Sequence, residues 1–274
     1  MGFHYWIFLL CVPIFISFNT AQPQVCNSTA GDFTVNGSYG RNRELALLSL
    51  AFNTSENGGF YYTTVGEDPN KVYAQALCRG DYSEKDCSSC INSTIQDLVT
   101  NCPNQKEAIS MGNCMIRYAN RLFFEILELK PNVEGYNTGD LLVNLNQFGQ
   151  IWESLLDSLV RNASTGTSRL KFATGEAQLT NSQTIHALMQ CTPDLSQIDC
   201  NTCLRRSMSD YQICCYGQQV GYVQKPSCFL QLDLYPFYMP PPSAPGSPPL
   251  DSNSTNTTTA YGKYIFTWTN GCIL

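Results

Sequence analysis

Cys78-Arg-Gly-Asp-Tyr-Ser-Glu-Lys-Asp-Cys87-Ser-Ser-Cys90 sets three cysteines in the spacing Cys-x8-Cys-x2-Cys, and Cys191-Thr-Pro-Asp-Leu-Ser-Gln-Ile-Asp-Cys200-Asn-Thr-Cys203 sets three more in the same spacing. The offset continues outward. Ala76-Leu77-Cys78 is echoed by Met189-Gln190-Cys191, and Cys102 and Cys114 face Cys214 or Cys215 and Cys228. An aspartate, Asp86 or Asp199, precedes the second cysteine in each copy. Several matched gaps with matching surroundings mark an internal duplication, one supersecondary unit used twice.

Hydrophobic periodicity gives both copies the same coarse elements. Phe148, Ile151, Trp152, Leu155, Leu156, Leu159 and Val160 form one continuous apolar helix face, and Leu45, Leu48 and Phe52 are expected to begin its counterpart in the first copy. A second helix is expected to start at each Cys-x2-Cys, with Ile91, Ile95, Leu98 and Val99 on one face, or Leu204, Met208 and Tyr211. The last framework cysteine opens a strand: Cys228, Leu230, Leu232 and Leu234 alternate with Phe229, Gln231, Asp233 and Tyr235. The matching strand is expected to lead from Cys114 to Tyr118 and continue through Leu122 to Glu128. Two helices on an antiparallel sheet, an α+β unit, accommodate this order in each of two tandem, disulfide-stapled domains.

Composition narrows the setting. The chain has 274 residues, enough for two domains of ordinary size, and its 14% charged content leaves the surface to Asn, Ser, Thr, Gln and Gly. With 16 Lys+Arg against 22 Asp+Glu and no basic cluster, nucleic acid is not an expected partner. Arg205-Arg206 and Arg41-Asn42-Arg43 read as solvated helix faces. The apolar run Ile7 to Phe18, followed by Ala21, resembles a secretory signal peptide over residues 1–21, at about 12 residues too short for the roughly 20 of a bilayer span. Asn-x-Ser/Thr sequons at Asn27, Asn36, Asn53, Asn92, Asn162, Asn253 and Asn256 agree with that route, as do 14 cysteines. After Tyr238 the sequence turns to Met239-Pro240-Pro241-Pro242 and a Ser/Thr/Asn-rich run, so 239–274 read as a Pro/Ser/Thr-rich linker and disordered tail with no membrane span or lipid-anchor signal.

The duplicated spacing, with Gln190-Cys191-Thr192-Pro193-Asp194-Leu195, Cys214-Cys215 and Leu234-Tyr235-Pro236-Phe237-Tyr238, resembles the plant cysteine-rich receptor-like kinases and their secreted relatives. Their shared module is the stress-antifungal, or ginkbilobin-homologous, domain. The resemblance places a first such domain at 24–130 and a second at 134–238. It implies bridges Cys26 to Cys102, Cys78 to Cys87, Cys90 to Cys114, Cys191 to Cys200 and Cys203 to Cys228. Tyr136-Asn137 stands near the place of Cys26 in the second copy, so Cys214 and Cys215 either pair with each other or one reaches Cys272. Without Cys11 the number of cysteines is odd, leaving at least one thiol unpaired within the chain. The resemblance further implies a secreted, apoplastic recognition module of stress and defence signalling, at the plasma membrane if the chain is a truncated receptor. An extracellular protein or a carbohydrate is the implied partner. A secreted antifungal mannose-binding lectin is the alternative.

The residues themselves offer no catalytic equipment, and no cofactor or metal is expected. Paired Cys-x2-Cys motifs can hold zinc, but the leader and the additional spaced cysteines favour disulfides. Outside the leader His186 is the one histidine, in an apolar stretch at the position matching Tyr73. It reads as a packed or surface group rather than a base. For sugar binding, the ginkbilobin-type lectins use an Asn just after the first cysteine, an Arg six residues before the last and a Glu five after it. Asn27 matches the first. The other two positions hold Ala108 and Ala119 in the first copy, Tyr222 and Asp233 in the second. Tyr61, Tyr62, Tyr73, Tyr216 and Tyr222 are aromatic candidates for stacking on a sugar or protein, with core packing the plainer role.

Overall fold

A computed structural model describes residues 23–137, 139–141 and 144–239. The leader at 1–21 and nearly all of the 239–274 segment, with Asn253, Asn256 and Cys272, lie outside the described residues. The first copy contains β1 (Gln24–Cys26), α1 (Ser38–Asn53), β2 (Phe60–Val65), β3 (Val72–Cys78), α2 (Glu84–Asn101), β4 (Ala108–Ser110) and β5 (Cys114–Ala119). The second repeats them as β6 (Val133–Tyr136), α3 (Leu145–Ser164), β7 (Lys171–Thr180), β8 (Gln183–Cys191), α4 (Gln197–Cys214), β9 (Val220–Gln224) and β10 (Cys228–Asp233). The sheet orders β1-β4-β5-β3-β2 and β6-β9-β10-β8-β7 are the same order used twice, antiparallel throughout. Two helices pack on one face of each sheet, the expected α+β unit.

The second helix of each copy starts one turn earlier than the Cys-x2-Cys. Ser83 and Ser196 are the N-caps, accepting from the backbone N–H of Asp86 and Asp199 while donating their hydroxyls to those carboxylates at 2.6 and 2.7 Å. The aspartate before the second cysteine is therefore the third residue of a cap that satisfies otherwise orphaned donors. Capping presents Cys87 and Cys200 inward, where they bridge to Cys78 and Cys191 at the ends of β3 and β8.

Helix α1 corrects the expected apolar face. Leu45, Leu48 and Phe52 are 57, 54 and 72% exposed, whereas Tyr39, Arg43, Ala46, Leu47 and Leu50 face the core. Arg43, read from sequence as part of a solvated face, is buried: it lies 4.7 Å over Phe33 and donates to the carbonyls of Cys102 and Pro103 at 3.2 and 3.1 Å. Carbonyls at the end of α2 lack intrahelical partners, and a guanidinium in the first copy's core supplies them. That requirement turns α1. In the second copy α3 follows its pattern, with Phe148, Trp152, Leu156, Leu159 and Val160 buried. A second correction concerns β5, which ends at Ala119; Leu122 is 53% exposed, and 120–132 form a connector that is not strand except for the separate start of β6 beyond it.

Further bridges join Cys26 to Cys102, Cys90 to Cys114 and Cys203 to Cys228, and Cys214 pairs with Cys215. Register explains the last. Cys26 pairs with Ala108, which pairs with Tyr118, and Tyr136 pairs with Gly221, which pairs with Leu232. Tyr118 and Leu232 follow their framework cysteines by the same interval, so Tyr136 occupies the place of Cys26 and Asn137 that of Asn27. Cys102 and Cys215 both cap the second helix. With a tyrosine where its partner would stand, Cys215 bonds its neighbour.

The copies dock through side chains to backbone. Gln190 accepts from Gly80 N–H and donates to Cys78 O at 3.0 Å, and Gln224 donates to Gly112 O at 3.1 Å. Gly80 sits so close to Phe172 that a Cβ there would lie 2.5 Å from its ring.

Candidate recognition site

Asn27 lies just after β1 and caps a short 3-10 turn, Ser28–Ala30. Its Oδ1 accepts from the Thr29 backbone N–H at 3.0 Å and hydroxyl at 2.7 Å, and its Nδ2 donates to Glu107 Oε2 at 2.9 Å. Glu107 also binds Arg121 at 2.6 Å; Arg121 reaches Glu128 Oε1 at 2.5 Å, and Arg117 bonds the other oxygen of Glu128. The buried Arg117 guanidinium lies 3.9 Å from the Phe123 ring. Burial opposes ionisation of Glu128, but hydrogen bonds and charges from Arg121 and Arg117 prevail and hold its carboxyl below the usual range. The backbone N–H of Glu128 donates to Ser227 Oγ of the second copy at 2.8 Å. The structure thus surrounds Asn27 with a guanidinium and carboxylates, as a sugar site would, but from positions outside the lectin pattern and with each group engaged by another. A sugar hydroxyl would have to displace Glu107 or Thr29. No sequence signal joins Glu107, Arg117, Arg121 and Glu128, since their meeting depends on the connector folding back over the sheet.

In the second copy the equivalent place is built differently. Counting six residues back from Cys228 reaches Tyr222, but the register puts Gly221 opposite Leu232 where Ala108 stands opposite Tyr118, because the β9–β10 turn is one residue longer. Asp233, at the Glu position, is buried. Burial pushes its carboxyl from 3.8 up to about 6, against backbone N–H groups of Tyr235 and Leu234 that favour the ionised form. A carboxyl whose folded pKa is raised costs stability as pH climbs past its unfolded value, with the full cost reached above about 6. Asp233→Asn keeps an acceptor for Tyr235 N–H and is expected to stabilise the second copy at pH 7 by about 3 kcal/mol at most, with little change at pH 4, read as the thermal midpoint. Equal shifts at both pH values would refute this.

The aromatic candidates separate. Tyr62 is 45% exposed and lies 4.7 Å from Phe124, which also meets Tyr73 edge-on at 5.7 Å; Leu122 and Ile126, on the same connector as Phe124, are exposed. Tyr61, Tyr73, Tyr216 and Tyr222 are half-buried, and Tyr216 packs on Phe148 and Trp152. Sequon residues Asn36, Asn92 and Asn162 are exposed, and Asn27 and Asn53 half-buried. His186 is buried in β8, its Nδ1 3.4 Å from Glu176 Oε2; burial lowers its pKa against the pull of Glu176. No serine or cysteine nucleophile is bonded to it among the described residues. A cleft between the copies, lined by Leu77, Arg79, Met115, Gln190, Gln224 and Phe229, encloses about 20 Å³, room for one water. No described helix is long and apolar enough to cross a membrane.

Comparison with known proteins agrees with the duplication. The family described as salt stress response/antifungal matches residues 25–121 and again 137–235. Putative cysteine-rich receptor-like protein kinase 30 of Arabidopsis thaliana is 39% identical over 263 residues, spanning 88% of this chain and 38% of that protein. Cysteine-rich receptor-like protein kinase 11 of the same plant is 41% identical over 262 residues, spanning 88% and 39%. The chain thus spans well under half the length of these relatives. A further putative cysteine-rich receptor-like protein kinase of that plant, 35% identical over 262 residues, is covered over 98% of its length. The tandem DUF26 ectodomains of the Arabidopsis cysteine-rich receptor-like proteins PDLP8 and PDLP5 share the fold, with TM-scores of 0.67 and 0.63 at 22% and 24% identity. Each alignment covers 77% of this chain and 96% or 98% of the solved one.

Proposed function

The chain belongs to the salt stress response/antifungal family as a tandem pair of its domains, and from that premise we propose that it is a secreted, non-catalytic recognition module of plant stress and defence signalling. The observation that carries the reading is what the surface offers. The cleft between the copies holds about one water, while Leu122, Phe124 and Ile126 on the connector, with Tyr62 of β2 beside Phe124, offer apolar side chains to the surface. Recognition of an extracellular partner through an exposed patch suits this better than enclosure of a small substrate. The matched portion of the receptor-like kinases corresponds to an ectodomain rather than to the kinase, which supports a role in sensing. Removal of residues 1–21 and N-glycosylation at the accessible sequons belong to the same proposal.

The test is binding by the disulfide-intact chain, purified from a plant secretory host, to extracellular plant proteins and to a glycan array. Expected is a saturable protein partner whose affinity falls at least tenfold in Leu122→Asp, with no defined sugar preference. Mannose-specific binding lost in Asn27→Ala, together with inhibition of fungal growth, would replace this reading with the lectin. Turnover lost in His186→Ala would replace it with an enzyme.

A further inference from the structure

The segments that follow β5 and β10 are built alike and hold the opposite copy. Leu122-Phe123-Phe124-Glu125 follows Cys114 at the same distance as Pro236-Phe237-Tyr238-Met239 follows Cys228. Phe123 and Phe124 meet edge-on at 4.8 Å, and Phe237 and Tyr238 at 5.1 Å. Each second ring then packs on its own sheet: Phe124 on Tyr73 at 5.7 Å, Tyr238 on His186 at 6.1 Å, both partners five places before the first framework cysteine. Each segment ends by crossing over. The Glu125 backbone N–H donates to Asp194 Oδ2 at 2.9 Å, and that of Met239 donates to Asp81 Oδ2 at 3.0 Å. Asp81 and Asp194 both stand three places after a first framework cysteine, so the two copies clasp each other reciprocally.

The halves of the clasp differ in how firmly they are held. Glu125 lies in a connector fixed by β5 on one side and β6 on the other. Met239 is anchored by β10 on one side, and Pro240, Pro241 and Pro242 follow it, none with an N–H to donate. The first copy compensates with Arg79, where the second has Thr192. Arg79 grips Asp81 through Nε and Nη2 at 2.6 and 2.9 Å, donates to Phe237 O at 2.9 Å and lies 4.9 Å over Tyr82. The Asp81 side chain is only 2% exposed, so its carboxylate is committed to Arg79 and Met239. Between them Gly80 meets Phe172 and donates to Gln190, placing strap and domain junction on three consecutive residues.

We propose that Tyr235–Met239 is an interdomain latch: its closure on Asp81 and Arg79 completes the docking of the two copies, and its release loosens the junction at Gly80. Docking of the copies and the path by which the chain enters its proline-rich sequence are then one equilibrium.

The experiment is amide hydrogen exchange with mass spectrometry on the full, disulfide-intact chain. In Asp81→Ala, exchange at Phe237–Met239 and at Gly80 is expected to rise at least tenfold, with the β3 and β5 amides unchanged. Asp194→Ala is expected to free Glu125 instead. Met239→Pro removes the crossing N–H without touching the first copy and is expected to reproduce the Gly80 effect, which keeps the test intact should Asp81→Ala misfold. Unchanged exchange at Gly80 when the strap is freed by Met239→Pro would overturn the latch. So would an unaltered strap in a folded Asp81→Ala chain.

Discussion

Replacing Cys26 and Cys102 together by alanine is expected to cost the first copy about 4 kcal/mol of unfolding free energy, and replacing Cys214 and Cys215 together well under about 1 kcal/mol of the second. The bridges differ in the chain they close: a sequence separation of 76 in one case and 1 in the other. Cross-linking distant residues removes many conformations from the unfolded ensemble; cross-linking neighbours removes few. Cys26–Cys102 also ties β1 to the end of α2, where Arg43 satisfies the Cys102 carbonyl, so its loss frees a sheet edge and a helix end together. Exchange of the β3 and β5 amides follows the first copy, and exchange of the β8 and β10 amides follows the second. Similar losses for the two double replacements would show that loop entropy is not what these bridges contribute.

Asp210→Ala is expected to destabilise the second copy by about 3–5 kcal/mol, whereas Lys225→Met should be near neutral or stabilising. The Lys225 side chain is 1% exposed and its Nζ lies 2.5 Å from Asp210 Oδ2; Arg206 approaches the other oxygen at 3.3 Å. Removing the carboxylate strands a buried ammonium without its partner. Removing the ammonium leaves Asp210 with Arg206 and the solvent that reaches it, and methionine fills the same space. Denaturant dependence of exchange at the β8 and β10 amides separates the outcomes. Equal losses in both variants would mean that the pair acts through packing rather than charge.

Much of the architecture is legible locally. The Cys-x8-Cys-x2-Cys spacing marks both copies and places both second helices, whose starts lie one turn earlier at the Ser83 and Ser196 caps. The alternation from Cys228 reads correctly as β10, and the i, i+3, i+4 pattern from Phe148 as α3. Leu45, Leu48 and Phe52 mislead because a helix with apolar residues on two sides has no single face until its neighbours choose one. Leu122 misleads similarly: the apolar run after β5 belongs to a connector whose rings pack over the sheet instead of extending it. Asn27 is found from its place after Cys26, but its partners Glu107 and Arg121 are not, since neither stands where the lectin pattern would put it.

What the sequence alone determines is the duplicated framework, the α+β order of elements and the cysteines that staple it, because helical periodicity, strand alternation and cysteine spacing act over a few residues and repeat. Tertiary structure alone decides which side of α1 is buried, why Cys214 bonds Cys215, how Arg117 and Arg121 enclose the Asn27 neighbourhood and how Asp81 and Asp194 clasp opposite copies. The cysteine pair follows from Tyr136 standing in the place of Cys26; each of the others is set by a polar group that must find a partner after burial. The partner comes from whichever element lies nearest in space, a neighbour that no local spacing names.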